Sequence, residues 1–443
     1  MQHRFALPGL PGLLCATTLA LSLVPGPTLG ANRLRAQEPL DPHGATPMAR
    51  QEAEVNRLLA GFDLTKAPPG IDARAWAASI PADNALTPAR VSLGAKLYFD
   101  RRLSRDGSVS CATCHDVMRG FTDQRMVSEG IGGKLGRRNA PTTLNSGLLE
   151  PLFLDGRSPT LEHQAGQPIL NPIEMGMTSK EEVVAKLQGI PEYVTAFRAA
   201  YGREIGYDDL QRAIAAFERT LVFLDAPFDR WQGGDQGAID DAAKKGFELF
   251  IGKARCVSCH HLNPSNPLGV DNRFHNVGVA ARAQNFEELA RKATKALAED
   301  ASEHALDRLA LATDLSELGR FLVTRNPADI GAFRTLQLRN LGITGPYMHD
   351  GSMQTLWDVM DHYNKGGEDN PYLDGGVEAL GLSEPEIDQV VAFLFTLTDR
   401  RFAAQNQKEF ERQRALARAQ RPFRDDDLAH RKKLGFERRV LKN

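Results

Sequence analysis

Cysteine is scarce in this chain. Five occur in 443 residues, too few for the disulfide-dense scaffold of a small secreted domain. Net charge is nearly absent at −2, which argues against a general nucleic-acid binder. Beyond the N-terminal segment, no run is apolar enough to cross a membrane. No stretch stands out as β-rich. What remains is an ordinary mixture, 42% hydrophobic and 25% charged, long enough for two or three domains.

The first residues read MQHRFALPGLPGLLCATTLALSLVPGPTLGANRLRAQ. Arg4 supplies a small positive region, Leu13 to Val24 a short apolar core, and Gly30 and Ala31 small residues for cleavage. This pattern predicts a secretory signal peptide over 1–36 and a periplasmic mature protein. The apolar run is too short and too broken by Pro and Gly to span a bilayer as an anchor. Cys15 precedes most of that core and goes with the discarded leader.

The other four cysteines fall in two copies of one pattern, Cys111-Ala-Thr-Cys114-His115 and Cys256-Val-Ser-Cys259-His260. Positions i, i+3 and i+4 share one face of a helical turn. Two thiols so placed can add to the vinyl groups of a haem, and the next imidazole can reach its iron. A zinc ribbon also pairs CxxC units but needs no His after each. A thioredoxin-like CxxC wants a βαβ context that this sequence lacks, and two disulfides would leave the histidines unexplained. The spacing therefore predicts two covalently bound haems c.

The repeat extends upstream. Gly94-Ala-Lys-Leu97-Tyr98 precedes the first motif and Gly246-Phe-Glu-Leu249-Phe250 the second, so two modules of similar build are expected. Thr87-Pro88 reads as N-cap and first helical residue. Leu210, Ile214, Phe217 and Leu221 form an apolar stripe. Ser383-Glu-Pro-Glu386 reads as a capping box. Trp231-Gln-Gly-Gly-Asp marks the linker. The expected organisation is a first haem module at 37–235, a second at 236–400 and a basic tail at 401–443. The stretch 284–320 reads as charged amphipathic surface helices inserted in the second module, and the tail as a solvated helix.

Five stretches together resemble the bacterial di-haem cytochrome c peroxidase superfamily, which includes the MauG-type enzymes: LGAKLYFDRRLSRDGSVSCATCH, GRRNAPTTLN, LDGRSPTLEHQAGQPILNPIEMG, DIGAFRTLQLRNLGITGPYMHDGSMQTL and DHYNKGG. The resemblance implies an all-α fold of two cytochrome c-like domains packed against each other. It implies that the N-terminal haem, on His115, activates hydrogen peroxide and that the C-terminal haem, on His260, passes electrons. Glu174 matches the family's distal acid-base carboxylate, Gln164 its hydrogen-bonding amide, and Pro168 a distal-pocket proline of MauG-type members. Ile131 stands where peroxidases carry the His that closes the resting first haem, so an open first iron is expected, with Met118 and Met126 as the nearby alternatives. Tyr363 falls where peroxidases place a Met ligand and MauG-type members a Tyr, with Met360 and His362 within a turn of it. Asn139, Thr344 and Pro346 match an inter-haem calcium site, so Ca²⁺ is an expected cofactor. One departure stands out: Leu154 replaces the Trp usual before Asp155-Gly156-Arg157, and an aliphatic side chain cannot host a hole.

The implied partners are hydrogen peroxide and a redox protein: a small cytochrome c, a cupredoxin or, as for MauG-type enzymes, a protein substrate. A homodimer is common in the family. The alternative from another class is a non-enzymatic di-haem electron carrier, with both irons closed by strong ligands.

Overall fold

The computed structural model describes residues 43–420, with 264 and 284 excepted. The predicted leader and residues 421–443 of the basic tail lie outside the described residues. Among the described residues the fold is all-α. Its strands are Phe274–His275 and Phe333–Arg334, paired antiparallel with Phe274 opposite Arg334. No helix there is long and apolar enough to cross a membrane.

Each haem motif follows a helix that is crossed by a later one. Helix Pro88–Phe99 begins where Thr87 accepts from Arg90 N and Pro88 presets the first turn. It crosses helix Tyr207–Glu218. Helix Asp241–Ile251, capped by Asp240, crosses Glu384–Phe395 in the same way. The expected box is present there, with Ser383 N donating to Glu386 Oε2 at 2.7 Å. Both crossings meet at a glycine. A Cβ on Gly94 would collide with the Ala213 carbonyl and lie 2.8 Å from Phe217 Cβ; one on Gly246 would collide with the Gln389 carbonyl and lie 2.9 Å from Phe393 Cβ. One turn on, Tyr98 meets Phe217 edge-on with ring centroids 5.1 Å apart, and Phe250 meets Phe393 at the same 5.1 Å.

The correspondence continues into the loops. Asn145 and Asn340 both adopt φ 61°, and the side chain of each accepts a backbone N–H, from Phe223 at 2.8 Å and Asp399 at 2.9 Å. Thr160 caps helix Leu161–Leu170 and Thr355 caps Leu356–Lys365. Counting from those caps, Gln164 matches Val359, and Pro168 matches Tyr363.

Two segments depart from the sequence expectation. The insertion carries helices Phe286–Glu299 and Glu303–Ala312, which bury Phe286, Leu289, Ala293, Leu297 and Leu309 in a core of their own. It also clasps the first module. Arg157 Nε donates to Asp307 at 2.6 Å and Arg138 Nη2 to Ser316 O at 3.0 Å. The tail, read as solvated from Arg401, is docked as far as it is described. Helix Ala403–Gln420 buries Gln413, which accepts from Leu356 N at 3.0 Å and donates to Tyr347 Oη at 3.0 Å. Its buried face includes polar Glu409 and Gln413, so no apolar periodicity announced it.

Candidate functional site

The first motif forms the short helix Cys111–Cys114, opened by a reciprocal Ser110/Thr113 cap. It brings Cys111, Cys114 and His115 to the wall of a cavity of about 950 Å³. His115 Nδ1–H donates to Phe121 O at 3.3 Å, so Nε2 carries the lone pair a metal can use. Gln164 and Pro168, one helical turn apart on Leu161–Leu170, face the same cavity, as does Glu174 from the turn that follows. Burial pushes the Glu174 carboxyl up to about 7, with the Asp307 charge adding to the effect and Arg157 opposing it.

Ile131, at the position of the closing ligand, is turned into the core. Ile131 N donates to Glu174 O at 2.9 Å, and the Ile131 side chain packs with Met175 and Met177 in the core. Neither Ile131, Met118 nor Met126 is on the cavity wall, where His115 is the single imidazole among the described residues. The wall residues that sequence reasoning did not pick out include Met175 and Glu218, which closes helix Tyr207–Glu218 and is buried with Oε2 lacking a hydrogen-bond partner. Burial pushes it up to about 8.

The second motif lines a cavity of about 2040 Å³ with Cys256, Cys259 and His260. His260 Nδ1–H donates to Gly269 O at 2.8 Å, again leaving Nε2 as the lone-pair nitrogen. Met360 and Tyr363 share this wall, and burial holds the Tyr363 phenol well above its usual range. His362, the third candidate, is turned away and donates through Nε2 to Val277 O at 2.7 Å. Cys259, Asp271 and His275 lie close enough together for a metal, but Cys259 belongs to the attachment motif.

Leu154, Pro141, Thr142, Leu149, Arg334 and Leu336 face both cavities. Among the described residues no aromatic side chain is on that shared wall; Arg334 N donates to Leu154 O at 2.8 Å. Asn139, Thr344 and Pro346 all line the second cavity. The Asn139 amide nitrogen donates to Arg125 O at 2.8 Å. Among the described residues no donor reaches Asn139 Oδ1 or the carbonyls of Thr344 and Pro346. Three such oxygens fit a hard cation.

Two crossed-helix modules, each with a Cys-x-x-Cys-His turn beside a cavity and a lone-pair imidazole, fit two haems and define a di-haem cytochrome. Residues 88–237 match the model of the family described as di-haem cytochrome c peroxidase. The methylamine utilization protein MauG of Methylorubrum extorquens is 41% identical over 319 residues, covering 72% of this chain and 80% of that protein. Cytochrome-c peroxidase IdrP1 of Denitromonas iodatirespirans is 38% identical over 330 residues, covering 72% and 84%. The crystal structure of a MauG-like protein associated with microbial copper homeostasis superposes with a TM-score of 0.59 at 31% identity, covering 72% of this chain and 92% of that one. The chain belongs to the di-haem cytochrome c peroxidase family, and is a peroxidase-type oxidoreductase with two haem cofactors.

Proposed function

We propose that this protein activates hydrogen peroxide at the haem attached to Cys111 and Cys114 and held by His115, with electrons arriving through the haem held by His260 and Tyr363. Haem iron supplies the redox centre at which an O–O bond is cleaved and through which electrons pass. The chain's own residues do the rest. Glu174 takes a proton from one peroxide oxygen and returns it to the other, a task suited to a carboxyl near 7. The Gln164 amide orients the peroxide. Pro168 offers no donor atom and leaves room for it. Tyr363 presents an anionic oxygen when ionised, a hard donor that stabilises oxidised iron more than a thioether does. Asn139 Oδ1 and the Thr344 and Pro346 carbonyls would hold Ca²⁺. The reductant is a small cytochrome c, a cupredoxin or a residue of a partner protein, and the setting is periplasmic, as the leader pattern suggests.

One observation carries this reading: among the described residues the first cavity's wall has a single imidazole, with Glu174 and Gln164 on the same wall. The test is stopped-flow absorbance of the ferric protein mixed with one equivalent of peroxide and no reductant. A rapid spectral change is expected. No change until one haem is reduced would replace the open first iron with a reductively activated one. No change even then would favour an electron carrier.

A further inference from the structure

We propose that Arg334 is a cation shared by the two haem sites: its guanidinium, docked on the Glu150–Pro151 loop, pairs with propionate carboxylates of both haems and raises both reduction potentials. The proposal rests on two bound haems and not on the peroxide chemistry given to Glu174. A haem carries two propionate side chains, anionic at neutral pH, which must be solvated or paired. Of the six residues on the wall common to both cavities, Arg334 is the charged one. It is 6% exposed. Its Nη1 donates to Pro151 O, and its Nη2 donates to Glu150 O at 3.4 Å and Asn272 Oδ1 at 3.3 Å. Its Nε is buried and lacks an acceptor among the described residues.

Every partner of this guanidinium is a neutral oxygen. The other buried arginines each reach a carboxylate: Arg138 meets Asp155 at 2.5 Å, Arg219 meets Glu162 at 2.5 Å and Arg339 meets Asp229 at 2.7 Å. Among the described residues Arg334 has no such pair. Burial pulls its guanidinium down to about 10, with the exposed Glu150 opposing the effect. A buried cation without a counter-charge is costly, and a guanidinium fork suits a carboxylate better than any other partner. A propionate supplies that counter-charge from either cavity.

The internal repeat gives the position a second meaning. The count that matches Asn145 with Asn340 also matches Asn139 with Arg334, Leu154 with His349 and Pro151 with Pro346. The backbone follows it. Asn139 N donates to His349 O and Arg334 N to Leu154 O, both at 2.8 Å. Phe153 and Met348 adopt φ 63° and 72°. In one copy, Asn139 Oδ1 joins the Thr344 and Pro346 carbonyls in a set that fits a hard cation. In the other, the residue matched to Asn139 is itself a cation, and it sits on Pro151 O, the carbonyl matched to Pro346 O. Arg334 is therefore a positioning residue that brings a fixed positive charge where its counterpart would gather a metal ion.

The test uses the resting di-haem holoenzyme and the variants Arg334→Gln and Arg334→Lys, each with and without EGTA so that any contribution of calcium is read apart. Two quantities are measured without peroxide. One is the reduction potential of each haem, by spectroelectrochemical titration. The other is the position of the propionate-bending bands in the resonance Raman spectrum. In Arg334→Gln the oxidised-to-reduced ratio at a fixed potential is expected to rise about tenfold at both haems, a downward shift of about 59 mV for each one-electron couple, and the propionate bands of both should move. Arg334→Lys keeps the charge but not the fork; its bands should move while its potentials fall by less. Unchanged potentials and bands in Arg334→Gln would overturn the proposal and leave Arg334 as a fastener of the Glu150–Pro151 loop. A change at one haem alone would overturn the sharing. Should Arg334→Gln lose a haem, unchanged bands in Arg334→Lys would overturn the pairing by themselves. No peroxide is added, so none of these outcomes depends on the role of Glu174.

Discussion

A carboxyl that titrates near neutrality behaves differently from one at the surface, and the first cavity holds two. Glu174, pushed up to about 7, works as a base only when ionised. The peroxide rate constant should therefore rise with pH through about 7. Glu174→Gln should remove that rise and lower the rate by about 10²–10⁴-fold, measured by stopped-flow across pH. Glu218 sits at about 8. Its folded-state value is raised, so its contribution to stability is complete below the ordinary carboxylate range and is lost as pH rises through about 8. Melting temperature should fall over that window in the wild type and fall less in Glu218→Gln. The haem-attaching residues were legible in sequence because thioether chemistry fixes their spacing. Glu174 and Gln164 were legible only through the family stretches. Glu218 was not, because nothing local distinguishes an acid at the end of a buried helix from one on a solvated face; the tertiary cavity makes the difference.

At the scale of the helix, the two glycine crossings set how closely each pair can approach. Alanine at Gly94 or Gly246 gains helix propensity of about 1 kcal/mol. It also drives a methyl group into a carbonyl of the partner helix, an overpacking that costs about 1–3 kcal/mol or more. Each variant should melt at a lower temperature than wild type, with the visible haem absorbance reporting whether the affected module still holds its cofactor. The repeated GxxLY and GxxLF strings made these helices readable before the structure, as did Thr87-Pro88 and the Ser383–Glu386 box. The docked helix Ala403–Gln420 was unreadable for the opposite reason. Its apolar contacts are confined to Phe410, which packs on Phe395 and Trp357, and buried Ala417; the rest of its docking includes hydrogen bonds through Gln413, and a face that mixes Glu409 and Gln413 with two apolar residues looks solvated when only hydropathy is counted.

Across the whole molecule, the insertion is fastened to the first module by buried charge. Arg138 reaches Asp155 at 2.5 Å, and Arg157 reaches Asp155 at 3.0 Å and Asp307 at 2.6 Å. Burial works to raise Asp155, but the two guanidiniums outweigh it and hold the carboxyl at about 2. Its contribution is present above the ordinary carboxylate range and is lost as pH falls through about 2. Asp155→Asn leaves two buried arginines short of a counter-charge, a loss of about 3–5 kcal/mol. Chemical denaturation at neutral pH should show that loss nearly unchanged between low and high salt, since buried pairs are weakly screened. Sequence periodicity predicted the inserted helices as amphipathic. It could not show that the polar face of one would meet Arg157, a residue far away in the chain.

The match of Pro168 with Tyr363, counted from two equivalent threonine caps, has an evolutionary consequence. If the modules descend from one duplicated ancestor, their division of labour did not require two different scaffolds. On the roles proposed here, two of the matched positions help divide them: Gln164 stands against Val359, and Pro168, whose ring would leave a place for substrate, stands against Tyr363, whose phenol would hold the second haem. Natural selection could then adjust substrate chemistry in one copy and redox potential in the other, each without disturbing the crossed helices that hold both.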